Sequence, residues 1–112
     1  MKDVIKQAER ERFLEIRTEF CEKVPLVAPG KMMSSEAITY EGKVFAFFSR
    51  KQKMVFKLGK QFDPETQDFE IRVFNPFTKR APLYGWFEVP YTHQDQWEPL
   101  AEKALQTLTT EG

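Results

Sequence analysis

The chain has 112 residues, of which 41% are hydrophobic and 14% aromatic, so it holds enough apolar material for one domain over residues 1–112 with a buried core. Its 17 basic and 17 acidic residues give a formal net charge of zero, which excludes a strong overall attraction to nucleic acid or acidic membranes. Because Cys21 is the only cysteine and no apolar run approaches the roughly 20 residues that cross a bilayer, we expect a cytoplasmic protein with no internal disulfide and no membrane association.

The first predicted element is a helix over residues 3–23. Phe13, Ile16 and Phe20 recur at helical spacing, while acids and bases fill most of the other positions. The segment VPLVAPG then ends the helix, because Pro25 disfavours helical geometry at the residue before it and Pro29-Gly30 favours a turn.

Two β-hairpins are predicted next, from the segments AITY, KVFAFF and KMVFKL. Glu41-Gly42 is a tight turn between the first two segments, because Gly42 accommodates a positive φ. We expect an even number of residues in the second loop; an odd number would exchange the two faces of the middle strand. With an even loop, the core face holds Ile38, Phe45, Phe47, Met54, Phe56 and Leu58. The other face then holds Ala37, Thr39, Val44, Ala46, Phe48 and Val55.

The last third of the chain predicts a short helix, a strand and a long helix. Asp63 as N-cap and Pro64 at the first helical position favour a helix over about 64–72, although FEIRVF by itself alternates like a strand. GWFEVP is a strand, and Asp95 with Glu98 matches a capping box for a final helix. Its apolar stripe is Trp97, Leu100, Ala101, Ala104, Leu105 and Leu108. The predicted fold is α+β, an antiparallel sheet of about four or five strands with N- and C-terminal helices packed on it, in the order α-β-β-β-α-β-α.

Signals for catalysis, metals and cofactors are weak. His93 and Cys21 are the only residues of their types, whereas a zinc site needs three or four ligands. Asp63 and Glu65 are expected to be solvated residues at a helix start. No glycine-rich phosphate loop and no nucleophile elbow occurs. We therefore expect a protein that is not an enzyme and uses no metal or cofactor.

A basic segment gives the sequence one candidate site. Residues 42–62 contain six bases and no acid, and the candidate basic patch within them is Arg50, Lys51, Lys53 and Lys57. KVFAFFSR also matches part of the RNA-recognition-motif signature, with Val44 and Arg50 in place of its glycine and last aromatic. Single-stranded nucleic-acid binding through the hairpin 43–60 is therefore an alternative function, which the predicted inward orientation of Phe45 and Phe47 disfavours.

The loop NPFTKRAPLYGW is the second candidate site. It combines aromatic residues with bases, and aromatics with arginine are typical anchors of protein interfaces. The simpler interpretation is that the aromatics, Phe77 and Trp86 above all, close the core. The candidate interaction surface consists of Phe77, Lys79, Arg80, Tyr84 and Trp86. The second face of the sheet, if no helix covers it, is a further candidate.

Over residues 31–106 the chain resembles the N-terminal domain of TfoX/Sxy-type proteins, with MmcQ/YjbR-like small α+β proteins as neighbours. The segments that carry the resemblance are KMMSSEAITYEGKVFAFFSRKQKMVFKLG, NPF, PLYGWFEVP and WEPLAEKAL. Ser34-Ser35 departs from the glycines common there. The resemblance implies a compact α+β domain that acts through contacts with other macromolecules, and it transfers no catalytic residue.

The leading hypothesis is therefore a non-enzymatic interaction or regulatory domain. Its expected partner is another protein or a second copy of the chain. Single-stranded nucleic-acid binding, or a small ligand between sheet and helices, is the alternative.

Overall fold

The computed structural model describes residues 2–32, 35–74 and 85–111, with side chains described between residues 7 and 110 of these ranges. This part of the chain forms a six-stranded antiparallel sheet and two α-helices, α1 (Lys2–Lys23) and α2 (Trp97–Glu111). The strands are β1 (Val27–Met32), β2 (Ser35–Tyr40), β3 (Lys43–Phe48), β4 (Met54–Lys57), β5 (Arg72–Val73) and β6 (Trp86–Val89), in the spatial order β1-β2-β3-β4-β6-β5. The predicted α+β class with terminal helices is confirmed, and the sheet has six strands where four or five were expected.

Both helices bury their apolar stripes against the same face of the sheet, which we call the helix face. Phe13 of α1 stacks on Phe48 of β3 with ring centroids 5.4 Å apart, and Trp97 of α2 meets the same Phe48 edge-on at 6.4 Å. The predicted stripe of α2 is confirmed, with only Leu105 partly exposed. A charged contact adds to this packing, because Arg10 donates two hydrogen bonds of 3.0 Å to the Glu36 carboxylate on β2.

Strand β1 occupies the segment for which the sequence predicted a break and a turn. The Leu26 carbonyl accepts a hydrogen bond from the Glu41 amide at 3.1 Å, so even-numbered residues of this strand point their backbone groups toward β2. Pro29 therefore has its nitrogen on the outer edge, where a missing N–H removes no bond from the sheet. The expected turn at Pro29-Gly30 is wrong because an edge strand tolerates proline.

The hairpin of β2 and β3 is confirmed, whereas the even loop between β3 and β4 is wrong. Glu41 and Gly42 have φ of 52° and 83°, as a two-residue turn that matches strand twist requires. The second loop spans residues 49–53, so Phe48 pairs with Met54 and Phe47 pairs with Val55. Phe48 consequently lies on the helix face and Phe47 on the opposite face, the reverse of the prediction.

A β-bulge explains why Phe45 nevertheless lies on the predicted side. Ile38 pairs with Ala46 while Thr39 pairs with Val44, which leaves Phe45 as the extra residue on β3. Both Phe45 and Ala46 therefore join the cluster beneath the helices. The Phe45 ring lies 6.0 Å from that of Phe20 on α1.

The predicted helix over 64–72 is reduced to one turn. Asp63 caps it as expected, since its carboxylate accepts a hydrogen bond of 2.9 Å from the Glu65 amide, but the 3₁₀ turn covers only Pro64–Thr66. The alternating segment FEIRVF contains strand β5 instead of a helix, and β5 pairs with β6. The capping box is also absent among the described contacts, because a 3₁₀ segment, Tyr91–Gln96, leads straight into α2.

Candidate binding sites

Most of the predicted interaction surface lies outside the described residues. This is true of Phe77, Lys79, Arg80 and Tyr84, so their role stays a prediction. Trp86 is described: it is half-buried on β6, and its ring centroid lies 5.6 Å from that of Phe47. At least one side of this indole therefore closes a core cluster, as the simpler interpretation of the loop expected.

The second face of the sheet is not an open apolar surface. Phe47 is 1% exposed and Val55 is fully buried, and Phe74 packs edge-on against Phe47 at 5.2 Å. Ala46 and Phe48, which were predicted to belong to this face, lie under the helices. The condition for an apolar docking face, an uncovered second side of the sheet, is therefore not met at Phe47 and Val55.

Phe45, Phe47 and Phe48, the three phenylalanines of β3, give no stacking platform for nucleic-acid bases. Their exposed fractions are 0%, 1% and 7%, respectively. Recognition of single-stranded RNA by a sheet depends on rings that are displayed to solvent. The partial RNA-recognition-motif pattern is thus explained by core packing on both faces of one strand.

The four residues of the predicted basic patch separate into three environments. Arg50 and Lys51 are exposed in the loop between β3 and β4. Lys53 lies 3.8 Å from the Glu88 carboxylate on β6, which offsets its charge. Lys57 is half-buried at the far end of β4, beside Trp86. The patch is therefore not one continuous surface.

The hairpin tip, residues 49–53, is closed by its own hydrogen bonds. The Ser49 amide donates to the Lys53 carbonyl at 2.8 Å, and the Ser49 carbonyl accepts from the Gln52 amide at 3.0 Å. The buried Ser49 hydroxyl oxygen also accepts from the Lys53 amide at 3.3 Å. These bonds fix the backbone that carries Arg50 and Lys51.

A cleft of about 610 Å³ lies at the other end of β4, and we call it the end cleft. The segment after β4, the start of β6 and one residue of α2 form its walls. Its described lining residues are Lys57, Leu58, Gly59, Lys60, Gln61, Gly85, Trp86 and Thr107. A smaller cleft of about 290 Å³ shares Lys60 and Gly85 with it.

The residues considered for chemistry lie apart. His93 packs its ring 5.9 Å from Phe69, and Cys21 is half-buried against the main core. Within the described ranges, no group of three or more histidine, cysteine or acidic side chains could hold a metal ion. No helix among these residues is long and apolar enough to cross a membrane.

No family model, curated protein or solved structure matches the chain. The resemblance to TfoX/Sxy N-terminal domains therefore stays a prediction.

The sequence reasoning missed the end cleft. Its signal was the absence of acids from residues 42–62, and of its lining residues the predicted basic patch included only Lys57. Gly59 and Gly85 lie 26 positions apart, and only the pairing of β4 with β6 brings them together.

Proposed function

We propose that this chain is a non-enzymatic interaction domain that binds an acidic segment of a partner protein through its hairpin tip. The observation that carries the proposal is the exposure of Arg50 and Lys51 on a hydrogen-bonded loop. Neither side chain forms an ion pair with another described residue, so both charges are available to a partner.

The fixed backbone of the tip favours binding. A guanidinium group can donate two parallel hydrogen bonds to one carboxylate, which makes Arg50 the principal contact and Lys51 a supporting charge. Because Ser49 and Gln52 already hold the loop in place, less conformational entropy is lost when a partner binds.

A protein partner fits these observations better than nucleic acid does. Proteins that bind single strands combine positive charge with aromatic rings that stack on bases. Here the rings of β3 are buried, and the formal net charge of the chain is zero. The resemblance to TfoX/Sxy N-terminal domains supports the same proposal. The proposal includes a cytoplasmic location, because a lone, half-buried cysteine suits a reducing compartment.

The test compares two double variants of equal charge change. Arg50→Glu/Lys51→Glu reverses the tip, and Lys31→Glu/Lys43→Glu reverses two exposed lysines elsewhere on the sheet. Binding to a poly-glutamate peptide and to single-stranded oligo-dT is measured by fluorescence anisotropy at several salt concentrations. We expect the tip variant to lose at least about tenfold in affinity for the peptide, since each charged hydrogen bond is worth roughly 1.5–3 kcal/mol.

Two results would overturn the proposal. Equal losses in both variants would show that net charge, and not the tip, governs binding. Tighter binding of the wild-type protein to oligo-dT than to the peptide would favour the nucleic-acid alternative. Thermal melting of both variants checks that each remains folded.

A further inference from the structure

Two glycines, Gly59 and Gly85, line the end cleft. Gly59 and Gly85 have φ of 90° and 89°, a region that favours glycine. The Gly85 carbonyl accepts hydrogen bonds from the amides of Leu58 at 2.9 Å and Gly59 at 3.1 Å, so the two segments touch through their backbones. A Cβ atom on Gly85 would lie 3.4 Å from the carbonyl carbon of Gly59.

The backbone amides of Lys60 and Gln61, next to Gly59 in the chain, have no acceptor among the described residues. The Phe62 amide donates to the Gly59 carbonyl at 3.3 Å, which closes a turn with Lys60 and Gln61 at its centre. Within the described ranges, the amides of these two central residues donate to no protein acceptor. Both residues line the cleft.

The charged side chains that line the end cleft are all positive in its described part. Lys57 and Lys60 both line it, and its described lining residues include no carboxylate. Neither lysine forms an ion pair within the described part of the chain. Lys57 is half-buried, and a partly buried charge is screened less by water and salt than an exposed one.

The same cleft offers an aromatic wall. Trp86 lines it, and the described ring contact of its indole is with Phe47. The neighbouring smaller cleft is lined by Phe62 and Phe87, whose ring centroids are 5.0 Å apart. A ring in the end cleft would therefore exchange contact with water for contact with Trp86.

We propose that the end cleft binds a small organic anion that carries a planar ring. Its phosphate or carboxylate group would lie between Lys57 and Lys60, within reach of the Lys60 and Gln61 amides, and its ring would lie against Trp86. The volume of about 610 Å³ is in the usual range of small-molecule sites. This site is separate from the hairpin tip and does not depend on the function proposed above.

The experiment is an NMR titration of the ¹⁵N-labelled chain with three probes. Phenyl phosphate carries both the anion and the ring, inorganic phosphate carries only the anion, and phenol carries only the ring. We expect phenyl phosphate to shift the amide signals of Gly59, Lys60, Gln61 and Gly85 in a saturable way, and to bind more tightly than either fragment. Binding of phenyl phosphate no tighter than that of inorganic phosphate would refute the ring contact.

The lysine contribution is tested with Lys57→Gln/Lys60→Gln, matched by Arg50→Gln/Lys51→Gln at the tip. The cleft variant should bind phenyl phosphate at least about tenfold more weakly, since two charge-assisted contacts are lost. The tip variant should bind it as the wild type does. Equal affinity of the cleft variant and the wild type, or no saturable shift at the four amides in the wild type, would overturn the proposal.

A second measurement needs no variant. Trp97 is fully buried and Trp86 is half-exposed, so collisional quenching of tryptophan fluorescence reports mainly on Trp86. Relative to the quenching of free N-acetyltryptophanamide by each ion, iodide should quench this emission more strongly than caesium because the cleft attracts anions. Phenyl phosphate should protect it from iodide. Equal relative quenching by the two ions would contradict a cationic cleft.

Discussion

Gly30 on the edge strand β1 gives the sharpest test of the fold. A Cβ atom built on Gly30 would lie 2.5 Å from the Cγ2 methyl carbon of Thr39 on β2. Thr39 is 8% exposed, and its hydroxyl donates a hydrogen bond of 2.9 Å to the Ala28 carbonyl. In Gly30→Ala, either Thr39 must leave its rotamer and lose that bond or the strands must move apart.

The expected cost follows from three contributions. Forcing an extra methyl group into a packed site costs about 1–3 kcal/mol. Loss of the Thr39 hydroxyl bond would add roughly 0.5–1.5 kcal/mol. The reduced entropy of the unfolded chain offsets about 0.4–1 kcal/mol when glycine becomes alanine. We therefore expect Gly30→Ala to lower the free energy of unfolding by about 0.5–4 kcal/mol.

The assay is urea denaturation followed by tryptophan fluorescence, in a double-mutant cycle with Thr39→Ser. Serine keeps the hydroxyl and removes the clashing methyl group, so Gly30→Ala should cost about 1–2 kcal/mol less in that background. Gly42→Ala serves as control, because its Cβ would meet nothing within 4 Å and its cost comes from the positive φ alone. An equal cost of Gly30→Ala in both backgrounds would refute the contact with Thr39.

Two further substitutions test positions that the structure singles out. Leu26 is 61% exposed with φ of 74°, so Leu26→Gly should raise the free energy of unfolding by about 0.5–1 kcal/mol in thermal melting, and a decrease would contradict backbone strain there. Trp97 donates its indole N–H to the Val89 carbonyl at 3.1 Å in a fully buried site. Trp97→Phe should therefore cost about 2–4 kcal/mol in urea denaturation, and a smaller cost than that of Trp86→Phe would contradict this.

The elements that the sequence predicted well are those whose signals are local. The terminal helices follow from apolar residues at helical spacing: α1 covers Lys2–Lys23 where residues 3–23 were predicted, and α2 carries its buried stripe where it was expected. Glu41-Gly42 specified the first hairpin because its geometry depends on two residues alone.

The errors arose where one residue of register changes the face of a whole strand. The loop after β3 has five residues, which exchanged Phe47 and Phe48. The bulge then restored Phe45 to the helix face. Loop length and bulges depend on how complete strands pack, and a run of three phenylalanines in six residues fits either register equally well.

The basic residues of the candidate sites could be identified from the sequence, but their arrangement on the surface of the protein could not. The sequence shows Arg50, Lys51, Lys53 and Lys57 as one basic cluster. In the structure Lys53 pairs with Glu88, which lies on β6 and 35 positions further along the chain. An ion pair of this kind becomes visible only when β4 and β6 are known to be neighbours.

The position of that ion pair weakens the electrostatic coupling between the two proposed sites. Lys53 and Lys57 are four residues apart on a nearly extended strand, which separates the tip from the end cleft by about 13 Å at roughly 3.3 Å per residue. This exceeds the Debye length of about 8 Å at physiological ionic strength. Glu88 further reduces the charge between them, since it lies 3.8 Å from Lys53. A charge reversal at the tip should therefore leave anion affinity in the cleft unchanged at physiological salt. A coupling that grows as salt is removed would be the direct sign of their remaining interaction.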